Sequence, residues 1–374
     1  MTAEPVRIAI VGTGTIARSH AQAIGSQSGA AGAATATIVA AMDVDQSQLG
    51  TFCAEFHIPG SYGDLATLLS QARPDLVHIC TPPSAHHPIA LECLRGGASV
   101  LTEKPPTISL REFDELVAAE CSAAGGEGPP WFATVFQHRF GDGQRRLKKL
   151  AASGALGRPL IAVCHTTWFR DQAYFDVPWR GRWDTEGGGP TMGHGIHQMD
   201  MLLDVLGDWT EVSALARTQA RSTTTEDLSL AHVTFANGAV ASVVNSVLSP
   251  REESYLRFDF ERATVEVTHL YGYGDVDWRV TPAPGCEDDV TAAWKNAADG
   301  DGEARSSHAA QFVRVLAALR DGERPPVTPP EARRTMTLIA GIYASAFTRR
   351  PVTPADLAPE TAFYTAMNGG HGAW

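Results

Sequence analysis

The stretch Val6-Arg7-Ile8-Ala9-Ile10-Val11-Gly12-Thr13-Gly14-Thr15-Ile16-Ala17 constrains what this chain can fold into more than any other segment. A short apolar run reads as a buried strand, and two glycines one residue apart turn the chain straight from that strand into a helix start. The first glycine permits the tight turn, the second lets backbone approach a pyrophosphate, and the small Ala17 lets helix and strand pack closely. Backbone N–H groups at the helix start then face the phosphates. Gly12, Gly14, Thr15 and Ile16 are therefore candidate dinucleotide contacts.

The same alternation of strand and helix recurs downstream. Residues 6–11, 38–42, 76–81 and 99–102 are strand candidates separated by helical stretches, the order of parallel βαβ units. Residues 26–34, rich in glycine and alanine, read as a surface loop between the first helix and the second strand. A helix at 110–121 and a further strand at 131–136 complete the first sheet, so the domain boundary is expected just beyond it. From about Phe140 the pattern changes. A helix at 144–152, a strand region at 160–168, a helix after Gly187-Gly188-Gly189, and β-rich runs at 230–235, 239–247, 255–260 and 264–268 predict an α+β arrangement. Residues 282–306 read as a polar loop, with late amphipathic helices at 308–320 and 330–348. The expected fold is α/β: a doubly wound parallel Rossmann sheet in a dinucleotide-binding domain, 1–138, followed by an α+β domain with a large, mostly antiparallel sheet, 139–374, for substrate binding and oligomerisation.

Composition narrows the partners. The formal net charge of -12 disfavours nucleic acid and anionic lipid. A core strand within the first ten residues leaves no room for a signal peptide, and no apolar run approaches the roughly 20 residues of a membrane helix. A cytoplasmic protein is expected. The six cysteines form no CxxC pair and read as reduced core residues.

Asp43 ends the second strand candidate, where a carboxylate accepts hydrogen bonds from ribose hydroxyls and repels a 2′-phosphate, favouring NAD over NADP; the alternative is a turn aspartate beside Asp45. Glu103-Lys104-Pro105 puts a lysine at the end of the strand 99–102. Together with the glycine turn, Gly187-Gly188-Gly189 and Gly195-Ile196-His197-Gln198-Met199-Asp200, this segment resembles the Gfo/Idh/MocA family of NAD(P)-dependent sugar and polyol oxidoreductases. The resemblance implies that Thr81 and Pro82 line the cofactor, with His86 either beside them or capping the next helix. It carries Glu103 to the nicotinamide ribose and Lys104 to the junction of cofactor and substrate.

Oxidising a secondary alcohol requires a base for the hydroxyl proton while a hydride leaves carbon. His197 matches the family's histidine and is the leading acid/base candidate, with Lys104 hydrogen-bonding the reacting oxygen. Many members carry an aspartate four residues before that histidine; here the position is Gly193. His194, three residues before His197, is either a third catalytic group or a buried histidine satisfied by backbone. The spacing of His194, His197 and Asp200 also suits a metal, but it matches the family's metal-free motif and none is expected. Gln137, Arg170, Trp179, Arg180, Arg182 and Trp183 are substrate candidates, since aromatic faces stack on sugars and arginine forks suit anionic oxygens; core packing is the other explanation of the tryptophans.

Three functions compete. The first is an NAD-dependent dehydrogenase of a sugar, inositol or related polyol. The second is a redox-neutral NAD-dependent glycosidase, favoured by Gly193 and the arginines and acting on a sulfonated or carboxylated sugar. A non-catalytic dinucleotide sensor is the third, against which Lys104 and His197 argue. A small carbohydrate partner and a homo-oligomer through the C-terminal sheet complete the expectation.

Overall fold

The computed structural model describes residues 4–26, 36–123, 128–298 and 304–372. Two compact units emerge, one comprising Met1–Thr107, Glu112–Val135 and His308–Pro330, the other Ile108–Arg111, Phe136–Ser307 and Glu331–Trp374.

In the first unit, β1 (Val6–Val11), β2 (Ala36–Met42), β3 (Gly60–Tyr62), β4 (Leu76–Ile79), β5 (Ser99–Thr102) and β6 (Phe132–Thr134) form a sheet of order β3-β2-β1-β4-β5-β6. Every pairing is parallel. This is the doubly wound dinucleotide-binding order, in which ligands bind beyond the carboxyl ends of the strands near the point where the order reverses, here between β1 and β4. Helices α1 (Thr15–Gly25), α2 (Gln46–Phe56), α3 (Leu65–Ala72), α4 (His86–Arg95) and α5 (Leu110–Ala123) supply the crossovers. Local chemistry fixes several of their starts. Asp45 is the N-cap of α2, accepting from the N–H groups of Ser47 and Gln48, and Asp64 caps α3 through Thr67. The expected loop at 26–34 lies, beyond Ser26, outside the described residues.

The second unit carries β7 (Pro159–Phe169), β8 (Trp209–Arg217), β9 (Leu228–Phe235), β10 (Val240–Ser246), β11 (Leu248–Phe260), β12 (Ala263–His269) and β13 (Trp278–Pro282) in the order β13-β12-β11-β7-β10-β9-β8. Only the β7–β10 pair is parallel. Helices α6 (Asp142–Ala152), α7 (Gln172–Phe175), α8 (Pro190–Gly193), α9 (Ile196–Leu206) and α10 (Glu287–Asn296) precede α11 (His308–Asp321), α12 (Pro329–Thr348) and α13 (Ala362–Thr365). Alternate residues of β7 (Ala162, Cys164, Thr166, Trp168) are buried while Ile161 and Phe169, of the opposite parity, remain exposed, so one face of this sheet is covered and the other is open.

Two expectations need correction. The segment 282–306 is not simply a loop: α10 forms there, with Glu287, Asp288 and Asp289 in its first turn, Lys295 in its last and Val290 buried. Charges of those signs at those ends favour a helix through its dipole, even without a clear apolar stripe. The division at 138/139 also misses a return of the chain. Helix α11 belongs to the first unit, where Phe312, Val315 and Leu316 join Ile8, Ile10, Ile24, Phe52 and Leu101 in one core. Among the cysteines, Cys80, Cys93 and Cys164 are buried, Cys53 and Cys286 partly so, and Cys121 is exposed.

Phe312 is 1% exposed, and its ring lies 4.9 Å from that of His20 and 4.8 Å from that of His78. Phe312→Ala should cost about 3–5 kcal/mol of stability in urea unfolding. A loss under about 1 kcal/mol would mean that α11 is only loosely attached to this core.

Candidate functional site

The glycine turn of the first unit is built for close approach. Gly12 has φ +85°, and a Cβ there would come within 2.8 Å of the carbonyl carbon and oxygen of Cys80. Gly14, the N-cap of α1, has nothing within 4 Å of its Cβ position and caps the helix with no side chain. No side chain caps the N–H groups of the first turn, the arrangement that a helix start offers to a phosphate. Asp43 braces this turn: its Oδ2 accepts from Thr13 N (2.7 Å), Thr13 Oγ1 (2.8 Å) and Gln48 Nε2 (3.1 Å), and its Oδ1 from Asp45 N (3.0 Å). Burial pushes its pKa up, but these hydrogen bonds outweigh it and hold the carboxylate below its ordinary range.

Thr81 and Pro82 follow β4, and the Thr81 Oγ1 is buried with no partner among the described residues. His86 turns out to be a brace. Its Nε2 lies 2.8 Å from the Thr81 carbonyl oxygen and its Nδ1 2.8 Å from that of Pro105, so the ring ties together the backbone of two turns.

Glu103 is also tied into the fold. Its Oε1 accepts from His20 Nε2 (2.9 Å) and His308 Nε2 (3.1 Å), and its Oε2 from the Lys104 N–H (3.2 Å). Burial opposes the charge, yet the two imidazoles outweigh it and keep the Glu103 pKa well below the carboxylate range. With Glu103 ionised, His20 donates from Nε2, which leaves its Nδ1 to accept from His78 Nδ1, 2.9 Å away. Burial lowers the pKa of both imidazoles. The donor atoms of His20, Glu103 and His308 lie within 4.8 Å of one another, but both histidines aim at one oxygen at hydrogen-bond length, which satisfies them without an ion. Lys104 follows directly, at the end of β5.

In the second unit, His197 stands in the first turn of α9, buried, its ring stacked on that of His138 with centroids 4.7 Å apart and planes 11° from parallel. The helix is pinned from its far side. Arg139 donates to both Asp200 oxygens (2.6 and 2.7 Å), to Asp204 (3.1 Å) and to Glu331 (3.0 Å), while Thr335 donates to Asp200 (3.0 Å). Gln198 lies 3.2 Å from His269, whose pKa burial depresses to about 4.

The glycine triplet is held by a residue that no sequence motif singles out. Glu226 is fully buried and accepts from Gly189 N (3.0 Å), Thr191 N (3.0 Å) and Tyr343 Oη (2.9 Å). A Cβ on Gly189 would sit 2.0 Å from the Glu226 carbonyl oxygen, so only glycine allows this approach.

The aromatic and arginine segment divides. Trp168 packs edge-on against His194 (5.2 Å), and the Tyr174 hydroxyl is 3.4 Å from His194 Nε2. Arg180 lies over the rings of Tyr174 (4.0 Å) and Trp179 (4.2 Å) and donates to the Tyr174 hydroxyl; its Nη1 is 3.5 Å from Glu186 Oε1. Arg170 covers Trp168 and pairs with Glu252 (2.8 Å). Arg182 does not join them: it pairs with Asp184 (3.1 Å), and both are more than half exposed. Trp183 donates to the Thr224 carbonyl (2.9 Å) and packs on Tyr343. Gln137, in the turn before α6, has its Oε1 buried without a partner among the described residues. The Cβ position of Gly193 lies 3.6 Å from the Glu186 Oε1.

A parallel sheet with this glycine turn defines a dinucleotide-binding protein of the Rossmann class. The family model described as "Oxidoreductase family, NAD-binding Rossmann fold" matches residues 6–124 and "GFO/IDH/MocA C-terminal domain" matches residues 144–269, so the chain belongs to the Gfo/Idh/MocA oxidoreductases and binds NAD. It is similar to D-glucoside 3-dehydrogenase of Escherichia coli, 27% identical over 72% of this chain and 80% of the relative. D-apiose dehydrogenase of Paraburkholderia graminis is 25% identical over 97% and 93%. Among solved structures, the WlbA dehydrogenase of Bordetella pertussis in complex with NADH and UDP-GlcNAcA superposes with a TM-score of 0.80 at 25% identity, covering 94% of this chain and 99% of that one.

Burial raises the Glu226 pKa to about 7 against its bonds from Thr191 and Tyr343. The folded state therefore holds a proton that the unfolded chain has lost. This group's contribution is full below about pH 4.5 and is lost as pH rises through about 7. Measured against Glu226→Gln, which does not titrate, the wild-type advantage in unfolding free energy should shrink by roughly 3 kcal/mol across that window. A difference that stays flat with pH would mean that Glu226 ionises at its ordinary value.

Proposed function

We propose that this chain is an NAD-dependent dehydrogenase that oxidises a secondary hydroxyl of a neutral sugar or polyol, an inositol among the possibilities. The observation that carries the reading is His197, a buried imidazole on a helix fixed by a full set of ion pairs, in a chain that also carries a dinucleotide turn. Relatives named as glucoside, apiose and inositol dehydrogenases support the substrate class.

When bound, NAD supplies the hydride acceptor. His197 is the proposed base for the hydroxyl proton as the carbon–hydrogen bond breaks, and the motif around Lys104 is what assigns it the steadying of the developing alkoxide. Asp43 keeps a negative charge at the end of β2, which favours NAD over a cofactor bearing a 2′-phosphate. The arginines support a neutral substrate. Arg170, Arg180 and Arg182 each have a carboxylate nearby, Glu252, Glu186 and Asp184, so the segment offers no surplus positive charge to an anionic sugar. That removes one motive for the redox-neutral glycosidase.

Lys104→Ala should lower kcat by about 100-fold or more while NAD affinity changes little, followed through absorbance of reduced nicotinamide with a sugar and polyol panel. His197→Ala should impair the same step, and the double variant should lose less than the product of the two single losses. Full turnover in either single variant would remove that residue from the chemistry. Product formation without net reduction of NAD would instead select the glycosidase.

A homo-oligomer is also part of this reading. On the open face of the second sheet Ile161, Val240 and Leu230 are 48%, 46% and 46% exposed, and Ile161 and Val240 are register partners on β7 and β10. Such a face favours burial against another copy. Val240→Glu should shift sedimentation toward the monomer; an unchanged mass would place the interface elsewhere.

A further inference from the structure

We infer that Glu186 is the carboxylate of the acid–base site in this chain, standing where Gly193 has no side chain and acting on His194 through Arg180 and Tyr174. The inference rests on the dehydrogenase reading and names a positioning residue within it.

Three observations carry it. Glu186 is 5% exposed and held in one orientation: its Oε2 accepts from the Gly181 N–H at 2.7 Å, and its own N–H bonds to the Arg182 carbonyl at 2.9 Å, so the loop winds back on itself to present the carboxylate. The other oxygen, Oε1, lies 3.6 Å from the Cβ position of Gly193, in ordinary contact, so it occupies the space into which a side chain at 193 would grow. From Oε1 a continuous polar path runs to Arg180 Nη1 (3.5 Å), from Arg180 to the Tyr174 hydroxyl, and from that hydroxyl to His194 Nε2 (3.4 Å).

This path sets charge at His194. Left alone, a guanidinium beside Tyr174 would disfavour protonation of the neighbouring imidazole; Glu186 offsets that charge. Trp168 from β7 and Tyr174 from α7 lie against His194. Behind Tyr174 stand Arg170 and Arg180, with Glu252 and Tyr271 on Arg170. Of the two carboxylates, only Glu186 lies against Arg180 and Gly193. The Tyr174 hydroxyl stays protonated, since burial raises its pKa, and so transmits hydrogen bonds rather than charge.

The test is an NMR titration of the histidine rings, with His194 assigned through His194→Gln, in the wild type, Glu186→Gln, Gly193→Asp and the double variant. Glu186→Gln keeps an oxygen for the Gly181 N–H, and circular dichroism checks that it folds. It should lower the His194 pKa by on the order of one unit. Adding Gly193→Asp should restore most of that shift, because the new carboxylate enters the same space. Gly193→Asp alone should lower kcat/KM, as two carboxylates then crowd one site, whereas in the Glu186→Gln background it should raise it. A His194 pKa unmoved by Glu186→Gln overturns the inference even if the protein proves to be a polyol dehydrogenase, as do losses that simply add in the double variant. A moved and restored pKa without turnover on any polyol leaves the pairing standing and removes the dehydrogenase reading.

Discussion

The glycine triplet of the second unit hangs on the buried carboxyl group of Glu226. Its three hydrogen bonds fix Gly189, Thr191 and Tyr343, and thereby the short helix α8 that feeds into His194 and α9. Buried donors without an acceptor cost about 1–3 kcal/mol each, so the triplet has few alternatives to this geometry. The next residue, Asp227, does the converse job, accepting from the N–H groups of Gln219, Ala220 and Arg221. Two adjacent carboxylates at the start of β9 thus organise two separate loops, each pointing where strand alternation sends it.

The first unit uses buried ionisable groups differently. Glu103 lies directly before Lys104 in sequence, and its carboxylate is hydrogen-bonded inward by His20 and His308, with His78 behind. The lysine therefore leaves the strand from an anchored residue, its backbone N–H bound to that same carboxylate. Precision at Lys104 comes from this anchoring, since a loop-borne side chain is positioned only as well as the backbone that carries it.

Much of the fold is legible in the sequence because it is local. The run 6–11, the glycine turn and the alternation of the later strands are periodic signals, and the sheets obey them. Elements without such a signal escape. Gly60-Ser61-Tyr62 is too short for a pattern and becomes β3 only by pairing with β2. Strands β8 and β13 are not among the expected runs, and α10 shows chiefly in the charges at its ends. The candidate site divides the same way. Gly12, Gly14, Lys104 and His197 are readable from motif context, whereas Glu226 and Glu186 are single glutamates whose importance comes from partners up to 117 residues away. The motifs find His86 and Glu103, but their side chains turn toward backbone and histidines that spacing cannot show.

The return of α11 to the first sheet has a consequence for synthesis. A ribosome releases β1 to β6 long before Phe312, Val315 and Leu316, yet these three complete that unit's core. Between those moments most of the second unit, Phe136–Ser307, emerges as one uninterrupted piece. The nascent nucleotide-binding sheet therefore waits, partly uncovered, for a helix more than 170 residues downstream of β6, ending at Thr134 and resuming at His308. Protecting that exposed apolar surface is a task for the cell before the protein meets its first cofactor.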